Sequence, residues 1–144
     1  QGRVNKLGVP SFVFSREEFI AGVPILEKLA EYDVCLIVLA GFMNKISDVI
    51  LQAFPGKIVN IHPALLPKYG GKGMYGMHVH EAVVKAGERE SGITIHYINE
   101  HYDEGAIIFQ ASCPVLPSDT PEEVASKVHA LEYAHYPHVI ESLL

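Results

Sequence analysis

The sequence predicts an α/β protein, in which a doubly wound, mostly parallel sheet carries an antiparallel strand pair at its C-terminal end. Residues 34–40 are continuously apolar and rich in β-branched side chains, which is typical of a parallel strand buried on both faces. Segments with strand and helix patterns then alternate along the chain, as they do in sheets covered by helices. Residues 91–99 instead alternate apolar with polar side chains, and residues 106–115 supply their partner strand.

The first half of the chain alternates short strands with short helices. Ser15 is followed three residues later by Glu18, a spacing that indicates a capping box and a helix start near Arg16. Pro24 is expected to interrupt this helix, because proline has no amide proton to donate. The other elements predicted here are strands at residues 9–14, 34–40 and 57–60 and a helix at residues 46–54.

The second half ends in a long helix. Its start is predicted at Ser118 or Asp119, with Pro121 in the first turn, and a bend is expected at Pro137. The remaining elements predicted here are a glycine- and lysine-rich loop at residues 65–77, a helix at residues 78–86 that ends at Gly87, and a turn at residues 101–105 between the two antiparallel strands.

Composition restricts the class of protein. The chain has 144 residues, which suits one domain, residues 1–144, with a real core. No apolar run approaches the ~20 residues that span a bilayer. The formal net charge of −6 argues against broad nucleic-acid or membrane binding. A small anionic ligand remains compatible with it, given local positive groups or backbone amides.

The two cysteines bear on the cellular compartment, and residues 1–7 bear on where the protein begins. Cys35 and Cys113 are too few and too far apart for a metal cluster or a disulfide framework, so we expect buried, reduced thiols and a cytoplasmic protein. The chain begins without Met, and residues 1–7 have the pattern of a helix end before Gly8. We therefore expect an N-terminal portion to be missing.

The most informative motif is Asn60-Ile61-His62-Pro63, directly after the predicted strand at residues 57–60. An amide and an imidazole two residues apart project from the same side of an extended backbone. Pro63 biases His62 away from helical conformation. Both groups are therefore expected at the carboxyl end of a strand, where open α/β sheets bind ligands. An amide donor beside a group that gives and takes protons suits chemistry at a carbonyl carbon.

Three segments together resemble a known family. Residues 38–43 (VLAGFM), 60–67 (NIHPALLP) and 102–105 (YDEG) are similar in order and spacing to motifs of the phosphoribosylglycinamide formyltransferase family. The resemblance extends from Gly8 to the end of the chain. It implies a Rossmann-like formyltransferase fold whose first βα units, with their phosphate-binding loop, are absent from this chain. It also implies formyl transfer from the co-substrate 10-formyltetrahydrofolate to glycinamide ribonucleotide in purine synthesis, with no metal.

The resemblance implies a role for each catalytic residue. Asn60 would donate a hydrogen bond to the oxygen of the tetrahedral intermediate, and protonated His62 would stabilise it and act as a general acid. Asp103 would raise the pKa of His62 and hold a water that relays the proton. Judged from local sequence alone, Asp103 is an ordinary turn residue and His62 a strand-end histidine satisfied by the backbone.

The resemblance also implies binding residues. Arg16 suits the carboxylates of the folate, and Asn60 lies beside its formyl group. Arg16 and Glu132 are equally well explained as solvent-facing helix residues. Asn44-Lys45 departs from the basic-then-apolar pair usual in the family. The other positions implied are Met43, Asn44, Lys45 and Ile46 around the pterin, Asn99, Glu100, His101, Tyr102 and Asp103 in the loop over that ring, and His129 and Glu132 at the ribose of the nucleotide.

Other functions remain open at this stage. A formyltetrahydrofolate hydrolase would use water in place of the amine, and a non-catalytic folate-binding module would lack turnover. A methionyl-tRNA formyltransferase is disfavoured, because its basic C-terminal nucleic-acid domain has no counterpart in this acidic chain. The glycine-rich loop at residues 70–77 is longer than the family pattern and is a lid candidate or a plain surface loop. A homodimer is compatible with the family, and the remaining histidines are expected at the surface or in packing.

Overall fold

A four-stranded mixed sheet lies at the centre of the structure. The computed structural model describes residues 12–39, 46–71, 73–98 and 106–144, and of Arg16 only the backbone. The strand order is β1-β2-β3-β4, with β1 parallel to β2 and the other two pairings antiparallel. The predicted α/β class and the antiparallel C-terminal pair are confirmed. The strands are β1 (Ile37–Leu39), β2 (Ile58–His62), β3 (Glu90–Tyr97) and β4 (Ile107–Pro114).

Helices flank this sheet. The last helix is the longest described and packs on β3, β4 and the helix before β3. It continues through Pro137 as one helix. No helix among the described residues is long and apolar enough to cross a membrane. The helices are α1 (Arg16–Ala21), α2 (Val23–Glu31), α3 (Asp48–Ala53), α4 (Met77–Lys85) and α5 (Pro121–Leu143).

The break between α1 and α2 lies at Gly22 and not at Pro24. The predicted capping box of Ser15 and Glu18 is present at the start of α1. Gly22 has a φ of 79°, in the left-handed region where glycine is tolerated without a Cβ penalty, and its N–H donates to the Glu18 carbonyl. Pro24 then falls in the first turn of α2, where a missing amide proton costs nothing.

Three further predictions are wrong within the described residues. Residues 12–14 form no strand. The strand predicted as buried on both faces shrinks to β1, whose Val38 is 39% exposed, and the Cys35 thiol before it is exposed. Among the described strands β1 is at the sheet edge, so one of its sides lacks a neighbour. The other predicted helices and strands agree with the structure to within a few residues, and the turn predicted at residues 101–105 lies outside the described residues.

The start of α5 also differs from the prediction. Thr120 is the N-cap, and it forms a reciprocal capping box with Glu123. Asp119, the residue before this N-cap, uses its carboxylate for two other contacts. It accepts a hydrogen bond from the Leu116 amide at 2.8 Å and from Lys127 Nζ at 2.6 Å. These two bonds lower the pKa of Asp119, the contact with Lys127 having the larger effect.

Two apolar clusters cover the sheet. The larger joins Ile61, Ile93 and Ile95 to helices α4 and α5. The smaller joins Ile58 to the segment around α3 and, through half-buried side chains, to α1 and α2. Because side chains alternate along β2, residues 58, 60 and 62 share one face of the strand and residues 59 and 61 share the other. Asn60 and His62 are therefore in line with Ile58.

Gly92 on β3 is a position where any side chain would clash. A Cβ there would overlap the Ala111 carbonyl oxygen and lie 2.8 Å from Leu65 Cδ2. Leu65 belongs to the segment that follows His62, so this close approach sets the position of that segment.

Gly92→Ala is expected to lower the free energy of unfolding by about 1–3 kcal/mol, because the added methyl overpacks the contact between β3, β4 and Leu65. Urea denaturation measures the change. Ser112→Ala, at the exposed register partner of Gly92, is the control and should change stability by less than about 0.5 kcal/mol. An unchanged stability in Gly92→Ala would contradict the described packing.

Candidate active site

Asn60 and His62 lie side by side at the carboxyl end of β2. Asn60 is 6% exposed and His62 is 3% exposed. In the antiparallel pairing with β3, Asn60 is opposite His96 and His62 is opposite Thr94, so these four side chains share one face of the sheet. Polar side chains therefore lie side by side at the carboxyl end of β2, next to the carboxyl end of β1.

The ring of His62 is held by the backbone of Tyr69. His62 Nε2 donates a hydrogen bond to the Tyr69 carbonyl oxygen at 2.6 Å, and since a carbonyl only accepts, Nε2 carries a proton. Tyr69 has a φ of 58°, a left-handed conformation that non-glycine residues seldom adopt. Its hydroxyl donates to Glu88 Oε1 at 3.0 Å. Burial, followed by this contact with Glu88, raises the pKa of Tyr69.

Thr94 anchors the segment between His62 and Tyr69. Its hydroxyl donates to the Ala64 carbonyl at 2.7 Å and accepts from the Leu66 amide at 3.0 Å. The side-chain amide of Gln110 donates both to the Thr94 hydroxyl and to the Leu66 carbonyl, each at 3.0 Å. The two bonds of the Thr94 hydroxyl to the backbone are buried and those of Gln110 are partly buried, and together they hold the chain before Tyr69 in place.

The side-chain amide of Asn60 has an open acceptor. Its Oδ1 atom is buried and has no hydrogen-bond partner among the described residues. Leaving a buried amide oxygen without a partner costs free energy, so such atoms are uncommon and indicate strain or a ligand contact. An N–H donor of a ligand bound beside His62 would satisfy it.

The predicted pair His129 and Glu132 lies on α5 and is linked electrostatically to His62 through His80 on α4. The rings of His80 and His129 meet edge to face at a centroid distance of 6.5 Å. Burial lowers the pKa of His80, and positive charge on His129 and on His62 lowers it further. Burial also raises the pKa of Glu132, and the charge of His129 opposes that effect.

Tyr136 ties this part of α5 to the sheet. Its hydroxyl donates to the Leu39 carbonyl at 2.6 Å, and Leu39 is the register partner of Asn60 in the parallel pairing. Glu132 is one helical turn before Tyr136. Burial and, secondarily, the charge of Glu132 raise the pKa of Tyr136. The structure therefore places the predicted nucleotide contacts near the same sheet edge as Asn60.

Several predicted positions are outside the described residues. Ile46 is described, and its side chain is 6% exposed and packed with Ile50 and Ile58, so this side chain is not available to a ligand. Arg16 is the first residue of α1, and its side chain is not described. The positions that are not described are Met43, Asn44, Lys45, Asn99, Glu100, His101, Tyr102 and Asp103.

Comparison with known proteins decides the family. The model of the formyl transferase family matches residues 2–140. The chain belongs to the formyl transferase family.

The chain is also similar to individual proteins of this family. The chain is 39% identical to the phosphoribosylglycinamide formyltransferase of Bacillus subtilis, and the match covers 99% of this chain and 72% of the relative. It is 42% identical to the chloroplastic enzyme of that name from Arabidopsis thaliana, with coverage of 94% and 48%. The chain thus spans about half the length of the plant relative. The crystal structure of phosphoribosylglycinamide formyltransferase from Streptococcus pneumoniae matches with a TM-score of 0.89 at 36% identity, covering 99% of this chain and 78% of the other.

Within this family fold, the structure adds residues that the sequence patterns missed. Thr94 and His96 alternate with Ile93 and Ile95 on β3, so the polar set could have been recognised as one face of a strand next to the motif. No sequence signal indicated Tyr69, because its role comes from its carbonyl and an unusual φ. Among the described residues, no three His, Cys, Asp or Glu side chains are close enough to hold a metal ion.

Thr94→Val is expected to lower the free energy of unfolding by about 3 kcal/mol, because the Ala64 carbonyl and the Leu66 amide lose their partner in a buried place. Urea denaturation gives the value. Thr94→Ser keeps the hydroxyl and loses one methyl group, so about 1 kcal/mol is expected. Equal losses in the two variants would show that the hydroxyl network is not what holds the segment.

Glu132→Gln is expected to be more stable than the parent protein at pH 8 and equally stable near pH 4. The raised pKa of Glu132 means that the fold favours the neutral carboxyl, so the parent loses stability as pH rises from the ordinary value of 4.5 through the folded pKa. Glutamine cannot ionise and escapes this loss. Urea denaturation at both pH values measures it, with Glu141→Gln on the exposed face of α5 as control. A variant that is not more stable at pH 8 would contradict the burial of Glu132.

Proposed function

We propose that the protein transfers the formyl group of 10-formyltetrahydrofolate to the amine of glycinamide ribonucleotide in purine synthesis. Membership of the formyl transferase family and the names of its relatives support the reaction and its substrates. The observation that carries the proposal at the atomic level is the buried pair Asn60 and His62 on one strand face, with Asn60 Oδ1 lacking a hydrogen-bond partner among the described residues.

The chemistry follows from these two side chains. The amine nitrogen of the nucleotide forms a bond to the formyl carbon, and the carbonyl electron pair moves to the oxygen. The amide nitrogen of Asn60 donates to that oxygen. The Nε2 proton of His62 is held by the hydrogen bond to the Tyr69 carbonyl. A second proton, on Nδ1, therefore converts the ring to an imidazolium. The positive charge of this imidazolium stabilises the oxyanion.

The intermediate then collapses. The carbon–nitrogen bond to the folate breaks, the carbonyl re-forms, and a proton lost by the attacking amine reaches the leaving nitrogen. Asp103 with a bound water is proposed to relay this proton and to favour the charged form of His62. The chain is long enough for Asp103 to reach His62. The amide of Ile98 is hydrogen-bonded to the carbonyl of Ile58, which lies about 13 Å from His62 along β2. The residues from Ile98 to Asp103 can span up to about 17 Å.

The residues proposed to bind the two substrates are those that the sequence predicts. His129 and Glu132 are proposed to contact the ribose of the nucleotide, which their position beside His80 and Tyr136 supports. The folate is proposed to bind between residues 43–46 and 99–103, with the backbone of Ile46 as its contact, and Arg16 to bind its carboxylates. A cytoplasmic location and a homodimer remain predictions.

The direct test is an assay of the full-length protein with 10-formyltetrahydrofolate and either glycinamide ribonucleotide or water as acceptor. The proposal expects formylated nucleotide and tetrahydrofolate in equal amounts. Formate release at the same rate without nucleotide would instead identify a hydrolase. Folate binding without any product would identify a binding module.

Asn60→Ala is expected to reduce kcat by about 10²–10³, since an oxyanion donor is lost. His62→Ala and Asp103→Ala are expected to reduce it by a similar or larger factor. Steady-state kinetics and circular dichroism check activity and folding in parallel. His138→Ala, an exposed histidine of α5, is the matched control and should retain the parental kcat. Parental activity in His62→Ala would overturn the proposed chemistry.

A further inference from the structure

Two hydrogen bonds in series connect the His62 ring to Glu88. His62 Nε2 donates to the Tyr69 carbonyl at 2.6 Å, and the Tyr69 hydroxyl donates to Glu88 Oε1 at 3.0 Å. Tyr69 thus contacts His62 with its backbone and Glu88 with its side chain. Glu88 is not among the residues proposed to bind either substrate, so its link to the reaction is indirect.

Tyr69 is held in a strained conformation while it presents its carbonyl to His62. Its φ of 58° lies in the left-handed region, where the Cβ of a non-glycine residue comes too close to a carbonyl oxygen. The free-energy cost of this strain is comparable with the gain from one hydrogen bond to a charged acceptor. The bond to the Glu88 carboxylate can therefore offset it. A return of Tyr69 to an ordinary φ would turn its carbonyl away from Nε2.

The backbone of Glu88 is fixed at the end of α4. The Gly87 amide donates to the Val84 carbonyl at 3.0 Å, and the Glu88 amide donates to the Val83 carbonyl at 3.3 Å. With Gly87 at a φ of 69°, these two bonds form the Schellman motif that ends many helices. The Glu88 carboxylate is therefore attached to a rigid element and gives the Tyr69 hydroxyl a well-placed acceptor.

Two other contacts also bear on the position of Tyr69 and Glu88. The Tyr69 ring packs against the larger apolar cluster, and this packing does not need the hydroxyl. Lys68 Nζ is 3.6 Å from Glu88 Oε1, but the Lys68 side chain is 68% exposed, and such surface pairs are weak. Substitutions that remove only the hydroxyl, only the carboxylate or only the ammonium group separate these contributions.

We propose that Glu88 is a positioning residue for formyl transfer, which through the Tyr69 hydroxyl keeps the Tyr69 carbonyl on His62 Nε2. The inference rests on the proposed function, because it assigns Glu88 to the reaction in which His62 takes part. With Nε2 held by the backbone, Nδ1 is the ring nitrogen that gains the second proton in that reaction. Glu88 acts on the orientation of the ring and touches neither substrate.

The first test follows the Nε2 proton of His62 by NMR on the full-length protein with ¹⁵N-labelled histidine and without substrate. His62→Gln identifies the signal by removing it. Tyr69→Phe keeps the ring and its packing but removes the donor, and Glu88→Ala removes the acceptor. Each variant is expected to speed exchange of this proton with water about tenfold, because a less firmly held carbonyl releases it more often. Parental exchange in either variant, or an unprotected Nε2 proton in the parent protein, would overturn the inference.

The second test measures kcat and both KM values for the same two variants. A less firmly held ring is expected to lower kcat about tenfold and to leave both KM values close to parental, because neither side chain contacts a substrate. Glu88→Gln keeps an acceptor oxygen and is expected to recover most of the kcat lost in Glu88→Ala. Glu81→Ala, at an exposed position of α4, is the matched control and should retain the parental kcat. A raised KM with a parental kcat would contradict a positioning role.

The double variant Tyr69→Phe/Glu88→Ala tests whether the two side chains act as one pair. Its kcat is expected to match that of each single variant within about twofold, because either change already breaks the same bond. Losses that multiply would show that Glu88 acts by another route and would overturn the inference. So would a loss in Lys68→Ala as large as that in Glu88→Ala, since it would assign the effect to the surface ion pair.

The two tests separate this inference from the proposed function. Proton exchange is measured without substrate, so it decides whether Glu88 and Tyr69 hold His62 even if the parent protein forms no formylated nucleotide. Absence of that product would overturn the proposed function. Formyl transfer by the parent, together with parental exchange and kcat in Tyr69→Phe and Glu88→Ala, would overturn the positioning role alone.

Discussion

The hydroxyl of Thr94 is the contact on which the shape of the candidate site depends. It joins the middle of β3 to the chain leaving β2, and Gln110 on β4 joins the same group. The chain so anchored reaches Tyr69 in the orientation that presents its carbonyl to His62. The ring is thus positioned by neutral hydrogen bonds in a buried place, where such bonds are well directed and costly to break.

Burial changes the pKa values of the groups around His62 more than neighbouring charges do. His80 is buried and within electrostatic range of both His62 and His129, and its lowered pKa keeps it neutral at pH 7. A neutral His80 does not repel a positive charge on His62. Glu132 shows the converse: burial raises its pKa, and the nearby His129 limits the shift. In both His80 and Glu132, burial thus favours the neutral form of the side chain.

The local part of this arrangement could be predicted from sequence, and the long-range part could not. Asn60 and His62 are two residues apart, so the period of a strand alone puts them on one face. Local rules misplaced the helix break, because Gly22 and Pro24 both end helices and only the φ of 79° identifies the residue used. The exposure of Val38 and Cys35 depends on which strands neighbour β1. The contacts of Thr94, Tyr69 and Tyr136 join distant segments, and no spacing in the chain encodes them.

The hydrogen bond from Tyr136 to Leu39 spans 97 positions of the chain. Contacts of such separation form late, because the loop that they close must lose its conformational entropy first. Because α5 follows the motif strand in the chain, it also leaves the ribosome later than that strand. The motif strand can therefore pair with its neighbours while the α5 side of the site is still absent, and the full set of polar groups comes together only after α5 has been synthesised.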